Sequence, residues 1–232
     1  MRLMWMYLTF FLTVAVNFFA ETLPLNGVTT GEVSNQIDVW FTPANFIFSI
    51  WGLIYLLLFI WLIAVSFRYR DIQLPVTANF IASNLLNMLW LIVWHFEWFW
   101  FSLLVMLLLF SALFLLYKAL QRSVLPRPFL LPISIYFGWI TVAFLTNISY
   151  VFVNSHIITG IQGIWTVLAL LVGIIIAIVF RLRQQDVCYP LVFVWAYIGI
   201  GIKLYGAHTG IAIFSMIGAL LIGCSLFLRK RY

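Results

Sequence analysis

The sequence predicts an all-α integral membrane protein with eight transmembrane helices. Three observations carry that expectation. Of 232 residues, 66% are hydrophobic and 8% are charged, and mean hydropathy is +1.14. Soluble domains carry roughly a quarter charged residues, so a soluble fold of this length could not cover its apolar surface. The apolar runs are continuous rather than alternating, which disfavours a β-barrel. The basic residues fall at alternate boundaries between the runs, as membrane orientation requires.

A spanning helix needs about 20 mostly apolar residues. Eight runs meet or approach that length, at 3–20, 44–66, 76–96, 98–119, 128–150, 158–181, 188–204 and 209–228. The first run begins after Arg2 and ends in Asn17-Phe18-Phe19-Ala20. That is a poor small-residue cleavage site, so a retained helix is expected rather than a signal peptide. The only long loop, 21–43, is polar, carries Gly27, Gly31 and Pro24, and ends in Trp40-Phe41-Thr42-Pro43. Loops of this length on a tight bundle are often lids or binding loops, although a plain connector fits too. Pro43 is expected in the first turn of the second helix, where a missing N–H costs little. The seventh run is the shortest.

Arg2, Arg68, Arg70, Lys118, Arg122, Arg127, Arg181, Arg183, Arg229, Lys230 and Arg231 share one side if all eight runs span. Glu21, Glu32, Asp38 and Glu97 share the other, with Lys203 the one basic residue nearby. The positive-inside rule then places both termini in the cytoplasm. The net charge of +6 is thereby read as orientation rather than as nucleic-acid binding. Basic cytoplasmic loops without a targeting peptide point to a bacterial plasma membrane.

Small residues recur every four positions at Ala169, Gly173 and Ala177 and at Ser215, Ala219 and Gly223. This spacing lets helices approach closely and serves packing within one chain or a homodimer equally well. Cys188 and Cys224 form no metal or redox motif and read as buried free thiols.

The runs hold almost no ionisable groups. His95 and Glu97 are expected at the interface around one turn, as are Lys203 and His208 around another. This argues against a proton pump or a carrier of charged substrates. No GxSxG, HExxH or paired intramembrane Asp occurs, so no catalytic or metal-ligating residue is assigned and no cofactor is required. Trp94, Trp98 and Trp100 flank a turn and read as an interfacial belt.

Other aromatics and amides lie deeper. Trp51 and Tyr55 are one helical turn apart, Asn87 and Trp90 share a face, and Tyr136, Trp139, Ala143 and Asn147 share another. An Asn in lipid must find partners, so Asn87 and Asn147 are expected to face the bundle. Such a constellation suits a flat, mostly apolar ligand with a few polar edges. Ordinary helix packing with Asn as glue would produce the same spacing.

These residues resemble the TspO/MBR family, the tryptophan-rich sensory proteins related to the mitochondrial translocator. Trp40 and Pro43 followed by Trp51-Gly52 and Tyr55 are similar to its loop-1 and helix-2 signature. Asn87 with Trp90 resembles its Asn–Trp motif, and Tyr136, Trp139, Ala143 and Asn147 its helix-5 run. The family's paired prolines are Thr42-Pro43 here, Ile135 stands where it has Pro, and Ser83 stands where it has Gln. The resemblance covers residues 1–150 and implies a five-helix bundle, with 151–232 as a three-helix transmembrane extension. It further implies a pocket lined by Trp51, Tyr55, Asn87, Trp90, Trp139, Ala143 and Asn147 under a loop lid carrying Trp40. The implied partners are the bilayer and a hydrophobic small molecule such as a porphyrin, haem or sterol. A receptor or transport protein is the first functional expectation. A photo-oxidative enzyme degrading a bound tetrapyrrole and a ligand-free scaffold subunit are its rivals.

Overall fold

The computed structural model describes residues 1–23, 25–69 and 72–228. Pro24, Arg70, Arg229, Lys230 and Arg231, named above, lie outside the described residues. Among those described there is no strand, and eight long helices and one short one follow in order. They are α1 (Arg2–Thr22), α2 (Thr30–Asn35), α3 (Ile50–Arg68), α4 (Leu74–His95), α5 (Phe99–Gln121), α6 (Leu131–Asn154), α7 (Gln162–Gln184), α8 (Cys188–Leu204) and α9 (Thr209–Ser225). Six of the long helices, counting the 3-10 turns that lead into α3 and α6, are long and apolar enough to cross a membrane. This is a multi-pass membrane protein. The α8 and α9 helices have 17 residues each. At 1.5 Å per residue that is about 25 Å, against a hydrocarbon core of about 30 Å.

Local chemistry sets the helix ends. Pro75 occupies the first turn of α4, where the proline lacks only an N–H that would be unpaired anyway. Glu97, at φ 58°, makes the tight reversal between α4 and α5. The α7 helix starts at Gln162 rather than near 158, because His156 (φ 58°) and Gly160 (φ 79°) turn the chain through left-handed conformations. It stops at Gln185, also left-handed. The Asp186 carboxylate then accepts the backbone N–H groups of Cys188 (2.8 Å) and Tyr189 (3.1 Å), starting α8. Pro43 does not open a helix as expected. It precedes a 3-10 turn, Asn45–Ser49, and the α-helix proper begins at Ile50. The first loop is not featureless either, for it contains α2 and the 3-10 turn Leu25–Gly27.

The chain divides into two compact units. Unit 1 comprises Met1–Ser34 and Trp51–Ile140, and unit 2 comprises Asn35–Ile50 and Thr141–Tyr232. In unit 1, α4 packs against α1 and α5. The α3 helix joins α1 through the Phe10–Phe59 stack (6.2 Å) and a Tyr7–Ser66 hydroxyl pair (2.9 Å), and α4 through Trp61 on Phe80 (5.3 Å). Phe137 of α6 sits among Phe110, Phe114 and Tyr117 of α5.

In unit 2, α7, α8 and α9 pack on one another. The small-residue stripes serve this packing. Ala169, Gly173 and Ala177 are buried, as are Ser215 and Ala219. A Cβ at Gly173 would overlap the Tyr197 hydroxyl, which donates to Leu170 O at 2.7 Å. Gly218 leaves room for the same ring and for Ile174. Arg181, buried near the end of α7, donates to the carbonyls of Leu226 (2.9 Å) and Leu228 (3.1 Å) just past the end of α9. A cation at that end also complements the helix dipole. Both cysteines are free as expected, but Cys224 is exposed rather than buried.

Candidate functional site

The aromatic cluster of unit 1 is built from α3, α4 and α6. Trp51, at the first turn of α3, stacks on Tyr55 one turn later, with ring centroids 5.5 Å apart. Its other neighbours are Tyr136 (6.0 Å) and Trp139 (6.3 Å) of α6, both met edge-on. Edge-to-face geometry is the favourable arrangement of ring quadrupoles. Tyr136 and Trp139 are buried, whereas Trp51 and Tyr55 are half-buried. Asn87, fully buried on α4, accepts at Oδ1 from Asn17 Nδ2 of α1 (3.1 Å). Its side chain lies beside the Tyr136 hydroxyl of α6, with which it interacts. The Tyr55 hydroxyl is close to Tyr136 as well. The Tyr55 hydroxyl is buried and has no hydrogen-bond partner among the described residues. Such a group costs about 1–3 kcal/mol, and most are satisfied in native structures.

The structure thus brings Trp51, Tyr55, Asn87 and Trp139 together, with Tyr136 added. Trp90 stacks on Trp94 (5.5 Å, 20°), and Trp94 meets Phe99 edge-on (5.2 Å). Trp94 is therefore core and not part of an interfacial belt, while Trp98 and Trp100 are exposed as expected. His95 is also corrected. It is fully buried, its Nδ1 lies 2.7 Å from Leu91 O, and its Nε2 is 3.5 Å from the Thr30 hydroxyl of α2. Asn26 donates to the His95 carbonyl (3.1 Å), so the first half of the long loop hides the residue from solvent.

A polar seam between α1 and α4 escaped the sequence reading. The Thr13 hydroxyl donates to the carbonyls of Thr9 (2.8 Å) and Asn84 (3.2 Å), and Asn84 Nδ2 reaches the Thr9 hydroxyl (3.4 Å). Asn17–Asn87 continues it one turn on. The signal was present: Thr9, Thr13 and Asn17 recur every four residues, and Asn84 and Asn87 are three apart.

Trp40, Ala143 and Asn147 belong to unit 2. Asn147 is buried and Ala143 half-buried on α6. Trp40 lies on a strap, residues 35–50, held by the ends of α7, α8 and α9. Its ring is 3.6 Å from that of His208, and it packs on Gly163. Gln162 Nε2 donates to Asp38 O (2.9 Å), and Lys203 Nζ to Val39 O (2.9 Å). Lys203 is also 3.8 Å from the Asp38 carboxylate.

The sequence model of the TSPO-like protein family matches residues 3–228, running from α1 through α9. The chain belongs to the TSPO-like protein family. No curated protein and no solved structure matches it. Membership accounts for the multi-pass helical architecture, and the TSPO-like match continues well beyond the motifs of the first 150 residues to include α7, α8 and α9.

Proposed function

We propose that this TSPO-like protein is a membrane receptor or transport protein for a hydrophobic small molecule of porphyrin, haem or sterol type. The observation that carries the reading is the unpartnered buried Tyr55 hydroxyl among the Trp51, Tyr136 and Trp139 rings. Rings offer flat apolar surface, and an acceptor atom at the edge of a ligand would satisfy the Tyr55 hydroxyl. Trp90 of the same unit belongs to the proposed lining, and Trp40, Ala143 and Asn147 of unit 2 are assigned ligand contact on the family resemblance alone. The eight-span reading, with both termini in the cytoplasm of a plasma membrane, belongs to the same proposal. It is supported by Arg2, Arg68, Lys118, Arg122, Arg127, Arg181 and Arg183 falling at alternate helix ends.

Titrating the detergent-solubilised protein with protoporphyrin, followed by tryptophan quenching, tests the reading. Tyr55→Phe and Asn87→Ala are expected to weaken binding about tenfold each, corresponding to one lost hydrogen bond. Trp139→Phe and Asn147→Ala should weaken it too. Saturable binding that none of the four substitutions alters would sink the pocket assignment. A ligand-free scaffold loses much of its motive here, because most of the small-residue positions that suggested one are already buried inside unit 2.

A further inference from the structure

A groove of about 510 Å³ runs between α8 and α9, wholly inside unit 2. Its floor lies where the two helices carry little side chain, at the buried Gly201 and Ala212. Met216, one turn along α9, lies across that gap, and a Cβ at Gly201 would come within 2.7 Å of its side chain. The walls are the exposed Ile213, Ile217 and Leu220 of α9. From Ala212 to Leu220 the groove follows α9 for about 12 Å. One end meets the turn at 205–208, where Tyr205 is 77% exposed. No charged side chain lines it.

This chemistry selects hydrocarbon. A bound water needs two to four polar partners, and the lining side chains offer one phenol at the end. Left empty, the recess would forfeit dispersion contacts along its whole length. A second copy of the chain is a poor occupant. Membrane helices associate through small residues that let backbones approach, and those of α9 are already used. Ser215 donates to Tyr197 O of α8, and Gly218 makes room for Tyr197 and for Ile174 of α7. The groove also opens on the exposed apolar surface that this multi-pass protein turns to lipid, so an acyl chain enters without crossing polar surface. Tyr205, amphipathic and at the end of the apolar helices, suits the boundary between chain and headgroup.

We propose that the α8–α9 groove is a binding site for one acyl chain of a membrane phospholipid, with Tyr205 at the headgroup boundary. The site is separate from the aromatic cluster of unit 1 and does not rest on the small-molecule reading. A chain held there fills the gap left by Gly201 and Ala212 and stabilises the helix pair, as any ligand of a folded state does.

Two measurements test this. In the first, the unaltered protein sits in phosphatidylethanolamine–phosphatidylglycerol vesicles that contain a phospholipid with a photoactivatable diazirine on one chain. After irradiation, labelling should concentrate on residues 201–220 several-fold over the exposed apolar positions of α7. Even labelling of all exposed apolar positions overturns the site. In the second, native mass spectrometry from mild detergent should find one phospholipid retained by the wild type. Ile213→Trp/Ile217→Trp, which fills the groove, should lower retention about tenfold, the loss expected when about two buried methylenes give up their contacts. Ile175→Trp, on the exposed face of α7, is the control and should match the wild type. Equal retention in the filled variant overturns the proposal. A wild-type dimer that the filled variant splits overturns it too, because a second copy would then cover the groove. The labelling result decides whether or not the variant folds.

Discussion

The two units differ in where their unpaired buried polar atoms lie. In unit 2 several buried or half-buried hydroxyls and indoles close on partners of the same unit, whereas Thr42 Oγ1 and Arg181 Nε are buried without one among the described residues. Tyr189 donates to Thr141 (2.9 Å), Tyr197 to Leu170 O, Ser215 to Tyr197 O (2.8 Å), Trp165 to Ser149 (2.9 Å) and Trp195 to Ile47 O. In unit 1 the aromatic cluster leaves the Tyr55 hydroxyl unpaired among the described residues. A lipid-embedded protein has no water nearby to absorb that cost. In unit 1 the unpaired hydroxyl lies among stacked rings, whereas in unit 2 the unpaired atoms lie on the strap and at the end of α7. The comparison also splits the first loop, whose residues up to Ser34 fold with unit 1 and whose residues from Asn35 fold with unit 2.

Crowding the close helix contacts of unit 2 should be the most damaging change. Gly173→Ala places a methyl on the Tyr197 hydroxyl and displaces its bond to Leu170 O. A loss of about 3 kcal/mol is expected in a reversible denaturation assay in detergent. Gly52→Ala in α3 of unit 1, where a Cβ meets nothing, is the control and should be neutral. Arg181→Met is expected to cost somewhat less, about 2 kcal/mol, because the carbonyls of Leu226 and Leu228 lose their donor. If Arg181→Met proves neutral, the end of α9 is held by something other than this guanidinium. In unit 1 an Asn17→Ala/Asn87→Ala double-mutant cycle should return a coupling of about 1 kcal/mol, the scale of interhelical hydrogen bonds in membranes. A coupling near zero would detach Asn87 from α1 and leave it to the cluster alone.

Hydropathy and charge were enough to read the helices of both units, because lipid demands long apolar runs with internally paired backbones. The boundaries that failed were set by single conformations. His156 and Gly160 delay α7, and the 3-10 turn after Ala44 delays α3. In the site, the Trp51–Tyr55 stack was legible because a one-turn spacing is a local property, whereas its meeting with Trp139 of α6 is tertiary. His95 and Trp94 were misread because burial at a helix end depends on what covers it. Asn26 and Thr30, which cover His95, come from a loop about 70 residues away in sequence. The strap was legible as a loop, but its attachment to Gln162, Trp195 and Lys203 spans well over a hundred residues and left no periodic trace.

The smallest effect separates the two halves of the first loop. At the start of α2, Thr29 and Glu32 form a capping box. The Thr29 backbone N–H donates to the Glu32 carboxylate at 2.6 Å, and the Glu32 N–H donates to the Thr29 hydroxyl at 3.2 Å. These Thr29 hydrogen bonds, that of the backbone N–H first, hold the Glu32 carboxyl below its ordinary value even though it is fully exposed. A carboxyl lowered on folding adds stability that is present above its unfolded value, about 4.3, and lost as pH falls through the folded value. Mild acid should therefore fray α2 in unit 1. It should leave the Gln162 and Lys203 bonds to the strap carbonyls of unit 2 in place, since neither involves a carboxylate. Carboxyl-carbon NMR of Glu32 should give a midpoint below about 4.3. Exchange at the first amides of α2 should quicken over the same range, with Ala44 unaffected. Simultaneous loosening of both segments would show that the loop responds as one piece, and the division at Ser34 would then carry no functional weight.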